Sequence, residues 1–131
     1  MPLGPYACMN CGHWQRWFAA PPSCPVCTDV RNALPDDGWK FVTAAEVAAG
    51  REARWAEVVA GVTGYWCAPQ LGLGTTGWVL ESDAGLVGWE GAGYYPPAAL
   101  AHLRERGGLV ALAASHVHGY GALWQLQDEL A

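Results

Sequence analysis

Basic residues are scarce in this chain: 7 Lys and Arg stand against 12 Asp and Glu among 131 residues, giving a net charge of -5. A nucleic-acid backbone or an anionic membrane is held by a positive footprint, so neither is expected as a partner. Long apolar runs are also missing, although 52% of the residues are hydrophobic. Each run is broken by Gly, Pro or a charge well short of the ~20 residues that a membrane span requires. The opening "MPLGPYACMN" has neither the basic region nor the apolar stretch of a signal peptide, and a cytoplasmic location is expected. The length suits one ordinary domain, or a small module joined to part of a larger one.

The five cysteines, by contrast, are ordered. Cys8 and Cys11 in "CMNCGHW" form one C-x2-C pair, Cys24 and Cys27 in "PPSCPVC" form another, and twelve residues separate the pairs. Each pair makes a tight knuckle presenting two thiolates, and two knuckles close a tetrahedral four-sulfur site for zinc or iron. Gly12, just after the first knuckle, permits the positive φ that turns backbone N–H groups toward sulfur. Two disulfides in a secreted protein are the alternative, disfavoured by the missing secretion signal and by the poor pairing geometry of C-x2-C. Cys67, in "GYWCAPQ", reads as a small buried hydrophobe.

"CMNCGHW" followed by "CPVC" resembles the rubredoxin-type ribbon, in the short-spaced form appended to rubrerythrins, over roughly residues 6–30. The resemblance implies zinc that staples the fold, or iron that passes electrons. His13 would be an exposed ring covering the sulfurs.

Residues 28–38, "TDVRNALPDDG", read as a linker. Thr43 then serves as an N-cap with Glu46 as its capping-box partner and Gly50 as the stop of a short helix. "REARWAEVVAG" reads as further helix ending at Gly61. From Gly64 the pattern turns to strands, with "GYWCA" and "TTGWVLES" rich in β-branched and aromatic residues, a turn at "SDAG" and a hairpin partner in "LVGWE". Pro96 and Pro97 open a helix that runs to Arg106 and is closed by Gly107 and Gly108. "LVALAA", residues 109–114, reads as a central, fully buried strand. A helix with an apolar face of Leu123, Trp124, Leu126 and Leu130 follows. His102 is expected to face solvent, and Trp66, Trp78 and Trp89 to pack in a core or an interface.

His116 and His118, in "SHVHGYGALW", follow the 109–114 strand. An H-x-H at a strand end places both imidazoles on one side, as a metal requires; a polar cap on a core is the plainer alternative. With the preceding order of strand, hairpin strand, helix and buried strand, this region resembles the first half of a metallo-β-lactamase-fold hydrolase. The family motif is H-x-H-x-D-H. His116 and His118 match its first two positions, Tyr120 stands where the Asp would be, and Gly121 where the last His would be. Glu90 lies at a strand end where relatives often carry an acidic residue, and it is not read as a ligand. The pairing of ribbon and motif is similar to a bacterial group of metallo-β-lactamase-like proteins with an N-terminal zinc ribbon.

The resulting expectation is an α+β chain: residues 1–38 as rubredoxin-like ribbon and linker, residues 39–131 as the first half of an αββα sandwich. The resemblance implies a metal-dependent hydrolase of small-molecule substrates, with zinc on the four cysteines and a second metal on His116 and His118. A catalytic zinc takes three protein ligands and a water, and this sequence offers two. It therefore reads as an N-terminal portion or a degenerate member, with little hydrolysis expected of these residues alone. An iron electron-transfer module and a non-catalytic binding protein remain the alternatives, the latter using a protein partner or a second copy to close its open sheet.

Overall fold

The computed structural model describes residues 2–28 and 34–130. Of the 28–38 linker, residues 29–33 lie outside the described residues. The chain is mixed α+β with two sheets, one three-stranded and one five-stranded.

The first sheet is built from β1 (Gly4–Cys8), β2 (Trp14–Trp17) and β3 (Phe41–Thr43), in the order β2-β1-β3 with antiparallel pairing. The cysteine-bearing turn joins β1 to β2, while β3 returns from beyond residue 38 to pair with β1. Thr43 caps helix α1 (Ala44–Ala48) with the complete capping box to Glu46, and Gly50, at φ 73°, follows the helix.

The second sheet runs β4 (Glu52–Val59), β5 (Val62–Ala68), β6 (Gly77–Ser82), β7 (Gly85–Trp89) and β8 (Leu109–Ala113) in that spatial order. The first four strands pair antiparallel and β8 joins β7 in parallel. A parallel neighbour requires a crossover, and helix α2 (Pro97–Glu105) supplies it, with Pro97 in its first turn and Gly107 and Gly108 in positive φ just beyond. The "SDAG" turn joins β6 to β7 as the sequence indicates, Ser82 pairing with Gly85.

Two expectations are corrected here. The segment after Gly50 is strand β4, not helix: its Ala, Glu and Arg are good helix formers, but propensity yields to tertiary pairing, and Gly61 at φ 81° closes a two-residue hairpin that lays β4 along seven partners on β5. Gly61 is thus a turn residue rather than a helix stop. Strand β8 is an edge, not a buried centre, so Val110 and Ala111 are exposed and Leu109 alone in it is fully buried. The three indoles Trp66, Trp78 and Trp89 lie on the face away from α2, and Trp66 and Trp89 are exposed there beside Val58 and Leu80.

On the other face, Tyr65, Cys67, Val79 and Leu86 meet Ala99 and Leu103 of α2, and the same core contains Ala7, Trp14 and Val42 of the first sheet with Val47 of α1. The two sheets therefore share one apolar core. A single turn of 3-10 helix (Val117–Gly119), helix α3 (Leu123–Leu126) and a second 3-10 turn (Gln127–Glu129) finish the described chain, and Leu126 seals the core. No helix among the described residues is long and apolar enough to cross a membrane.

Candidate metal centres

Cys8, Cys11, Cys24 and Cys27 converge as the spacing predicts, with all four sulfurs within 4.8 Å of one another, buried, and none in a disulfide. Two of the separations are 3.9 Å, Cys8 to Cys27, and 3.7 Å, Cys11 to Cys24. A regular tetrahedron with metal–sulfur bonds of about 2.3 Å has sulfur–sulfur edges of about 3.8 Å. The cluster is thus already at the size of a metal tetrahedron.

The knuckles are locally determined. Gly12 adopts φ 87°, its N–H donates to the Cys8 carbonyl oxygen at 2.8 Å, and the His13 N–H reaches Cys11 Sγ at 3.4 Å. In the second knuckle the Cys27 N–H points at Cys24 Sγ, 3.5 Å away, and the Asn10 amide approaches Cys27 Sγ at 3.4 Å. Such donors favour thiolates. The hydrogen bond with the Cys11 thiol pulls Cys8 down to about 5, the reciprocal bond pushes Cys11 up, and burial pushes Cys24 up to about 11. Cys8 ionises readily while Cys11 and Cys24 resist, as expected where a cation is needed to neutralise thiolates held together. Zinc and iron both suit this donor set.

His13 is half-buried rather than exposed, because Trp14 carries the chain straight into the core. Burial holds its imidazole below the ordinary histidine value, opposed by Cys8 and aided to a lesser degree by His118.

His116 and His118 are brought together, their ring centroids 5.5 Å apart at 63°. The backbone route differs from strand alternation: β8 ends at Ala113, His116 is extended, and His118 sits inside the 3-10 turn. The rings line a cavity of about 200 Å³ with Thr75, Thr76, Trp78, Glu90 and Gly119. This cavity lies beyond the carboxyl ends of parallel strands β7 and β8, the end of such strands where ligands characteristically bind. Ser115 Oγ lies 2.8 Å from His116 Nδ1, so Nε2 is the nitrogen left to face a metal.

Glu90 controls the loop that bears the histidines. It is the one non-glycine with positive φ among the described residues, at 63°, a backbone state that costs of order 1 kcal/mol or more. Its carboxylate accepts the Ser115 N–H at 2.7 Å and lies under Gly119, where any Cβ would collide with it. Glu90 is thus turned toward the loop backbone. Among the described residues the cysteine cluster is the only group of three or more His, Cys, Asp or Glu donors close enough to share an ion.

A third polar group was not legible in the sequence. His102, expected in solvent, lies half-buried under Trp55 and bonds the Tyr65 hydroxyl at 2.8 Å through Nδ1, while Arg106 donates to the same hydroxyl at 3.0 Å and to Thr63 Oγ1 at 3.3 Å. The i, i+4 spacing of His102 on α2 and Arg106 at its C-cap was the available signal.

Compared with known proteins at a significant level, the chain matches no family model, no curated protein and no solved structure.

Proposed function

We propose that this chain is a metal-binding protein in which the Cys8, Cys11, Cys24 and Cys27 ribbon holds structural zinc and His116 with His118 contribute the metal ligands of a metallo-β-lactamase-type hydrolase. The observation that carries the hydrolase reading is the histidine pair itself: two rings 5.5 Å apart, over one cavity, at the end of a β-α-β unit. When bound, such a metal supplies Lewis acidity and an acidified water. The residues of this chain hold and orient it. His116 and His118 ligate, Ser115 fixes which nitrogen of His116 faces the ion, and Glu90 fixes Ser115. Thr75, Thr76 and Trp78 wall the space a small substrate would occupy.

Two neutral imidazoles leave an ion under-coordinated, so turnover by these residues alone is expected to be poor. The test is zinc titration of chain whose cysteine site is already filled, followed by assays on esters, thioesters and lactams with zinc, manganese or iron. A second, weaker equivalent that is lost in His116→Ala and His118→Ala supports the reading. A titration that stops at one equivalent, or a second equivalent indifferent to both substitutions, overturns it.

A second reading, a non-catalytic binding protein with a structural ribbon, has its own observation in the uncovered Trp66 and Trp89 face. Association through that face with no second metal would favour it.

A further inference from the structure

The cysteine cluster and the histidine loop, distant in sequence, are joined by two short routes through the fold. The first leaves the knuckle at Cys11, whose carbonyl oxygen faces the Leu73 N–H at 3.5 Å. Gly72, at φ 58°, lies so close to Cys11 and Gly12 that a Cβ there would run into their backbone. This loop is tightened by Gly74 N–H to the Leu71 oxygen at 3.1 Å and reaches Thr75, whose hydroxyl donates to the Gly91 oxygen at 3.0 Å. Thr75 and the next residue, Thr76, are walls of the histidine cavity. The second route is Trp14, three residues beyond Cys11. Its Nε1 donates to the Gly93 oxygen at 2.6 Å, and its ring meets Trp124 edge-on at 5.2 Å.

Both routes arrive at residues 91–93, and this segment grips the histidine loop. Gly91 N–H donates to the Gly119 oxygen at 2.6 Å, and Ala122 N–H donates to the Ala92 oxygen at 2.7 Å. Gly91 and Gly121 are in turn packed against the opposing backbone too closely for a Cβ. Backbone laid on backbone transmits displacement with little slack, since close-packed contacts are not continuously deformable.

We infer that the cysteine cluster positions the histidine pair: Trp14 and Gly72 are positioning residues, and metal on the four cysteines fixes the geometry of the cavity at His116 and His118. The four sulfurs lie within 4.8 Å of one another with no disulfide between them, so a shared cation is what would bond the two knuckles together, and a knuckle relaxed in its absence loosens its seat against Gly72 and Trp14. The inference adds regulation to the proposed hydrolase site and rests on that reading for its functional meaning.

The histidine rings report the outcome directly, through side-chain nitrogen–proton correlation spectra. Trp14→Phe keeps an aromatic ring and removes the donor to Gly93. In the zinc-loaded variant the His116 and His118 signals are expected to shift or broaden and affinity for a second zinc to fall about tenfold, as when a group that orients a ligand is lost. The cobalt-substituted cysteine site should keep its thiolate absorption, and His102, on the opposite face of the sheet, should keep its signals. Chelating the cysteine-bound metal should move the same two histidines further. Unchanged His116 and His118 signals in Trp14→Phe and Gly72→Ala would overturn the inference, as would equal disturbance of His102. If chelation unfolds the chain, the zinc-retaining Trp14→Phe protein decides. A wild-type histidine pair that takes no second zinc sinks the hydrolase reading, yet leaves the coupling readable from the ring signals.

Discussion

The indole of Trp55 lies nearly parallel to the imidazole of His102, with centroids 4.4 Å apart and an interplanar angle of 14°. Beneath the stack, the buried Tyr65 hydroxyl contacts His102 and Arg106. The group thus fastens α2 to the β4–β5 edge of the sheet. Tyr65→Phe leaves both partners short of a bond and should cost about 1–2 kcal/mol in urea unfolding. A loss below about 0.3 kcal/mol would show that the group is not a fastener.

Alkaline pH should act through the same region. Burial raises Tyr65, opposed by Arg106, and burial also raises Tyr94 and Tyr95 above the ordinary tyrosine value. A raised pKa means that the folded chain holds the proton more tightly. The unfolded chain therefore releases protons first, and stability falls as pH rises past about 10, the unperturbed value. Unfolding free energies measured across that range should decline less steeply in Tyr65→Phe than in wild type.

Metal analysis of pure protein should return one tightly held equivalent that disappears in Cys24→Ser. X-ray absorption should give four sulfurs at about 2.3 Å. Cys24, pushed up to about 11, gives up a proton when metal binds, so acid opposes binding. Affinity should fall roughly tenfold for each proton displaced per pH unit below neutrality. Disulfides among these residues, with no metal, would refute the site.

Glu90 sets strain against anchorage. Gln at this position keeps an acceptor for Ser115 and should fold within about 0.5 kcal/mol of wild type. Gly sheds the left-handed strain and loses the anchor. Ala keeps the strain and also loses the anchor, and should be the least stable, by about 2 kcal/mol. Any other order in thermal or urea unfolding would mean that the Ser115 bond contributes little.

The open face carries Trp66 and Trp89 beside Val58 and Leu80, and exposed apolar patches of this kind drive association. Sedimentation at rising concentration should show self-association that Trp66→Lys and Trp89→Lys reduce. Concentration-independent monomer in wild type would remove the face from consideration.

Where the sequence was legible, a short-range rule decided the structure. The two C-x2-C knuckles, the Thr43 and Glu46 capping box, the "SDAG" hairpin and Pro97 at the start of α2 each depend on a few adjacent residues. Where it was not, long-range pairing decided. The composition of β4 favours helix, and β5 overrides it; "LVALAA" is apolar along its length, yet its strand ends the sheet because nothing described pairs along its outer side except Leu130 at Leu109. The histidine pair was legible as a pair, while the Glu90 and Ser115 anchorage depends on a contact across 25 positions that spacing does not encode.

The core shared by the two sheets sets limits on how the gene is cut. Val42 and Trp14 sit in the same apolar cluster as Leu103 and Leu126, and β3 belongs to the ribbon although it lies past residue 38. Expressing residues 39–131 alone would leave an indole-shaped void against Tyr94, Trp124 and the Gly93 carbonyl, and would strand β3 without a neighbour. Fusion partners and tags therefore belong at the ends of the chain, and library designs that recombine ribbon with sheet should carry Trp14 and its receiving pocket as one inherited block.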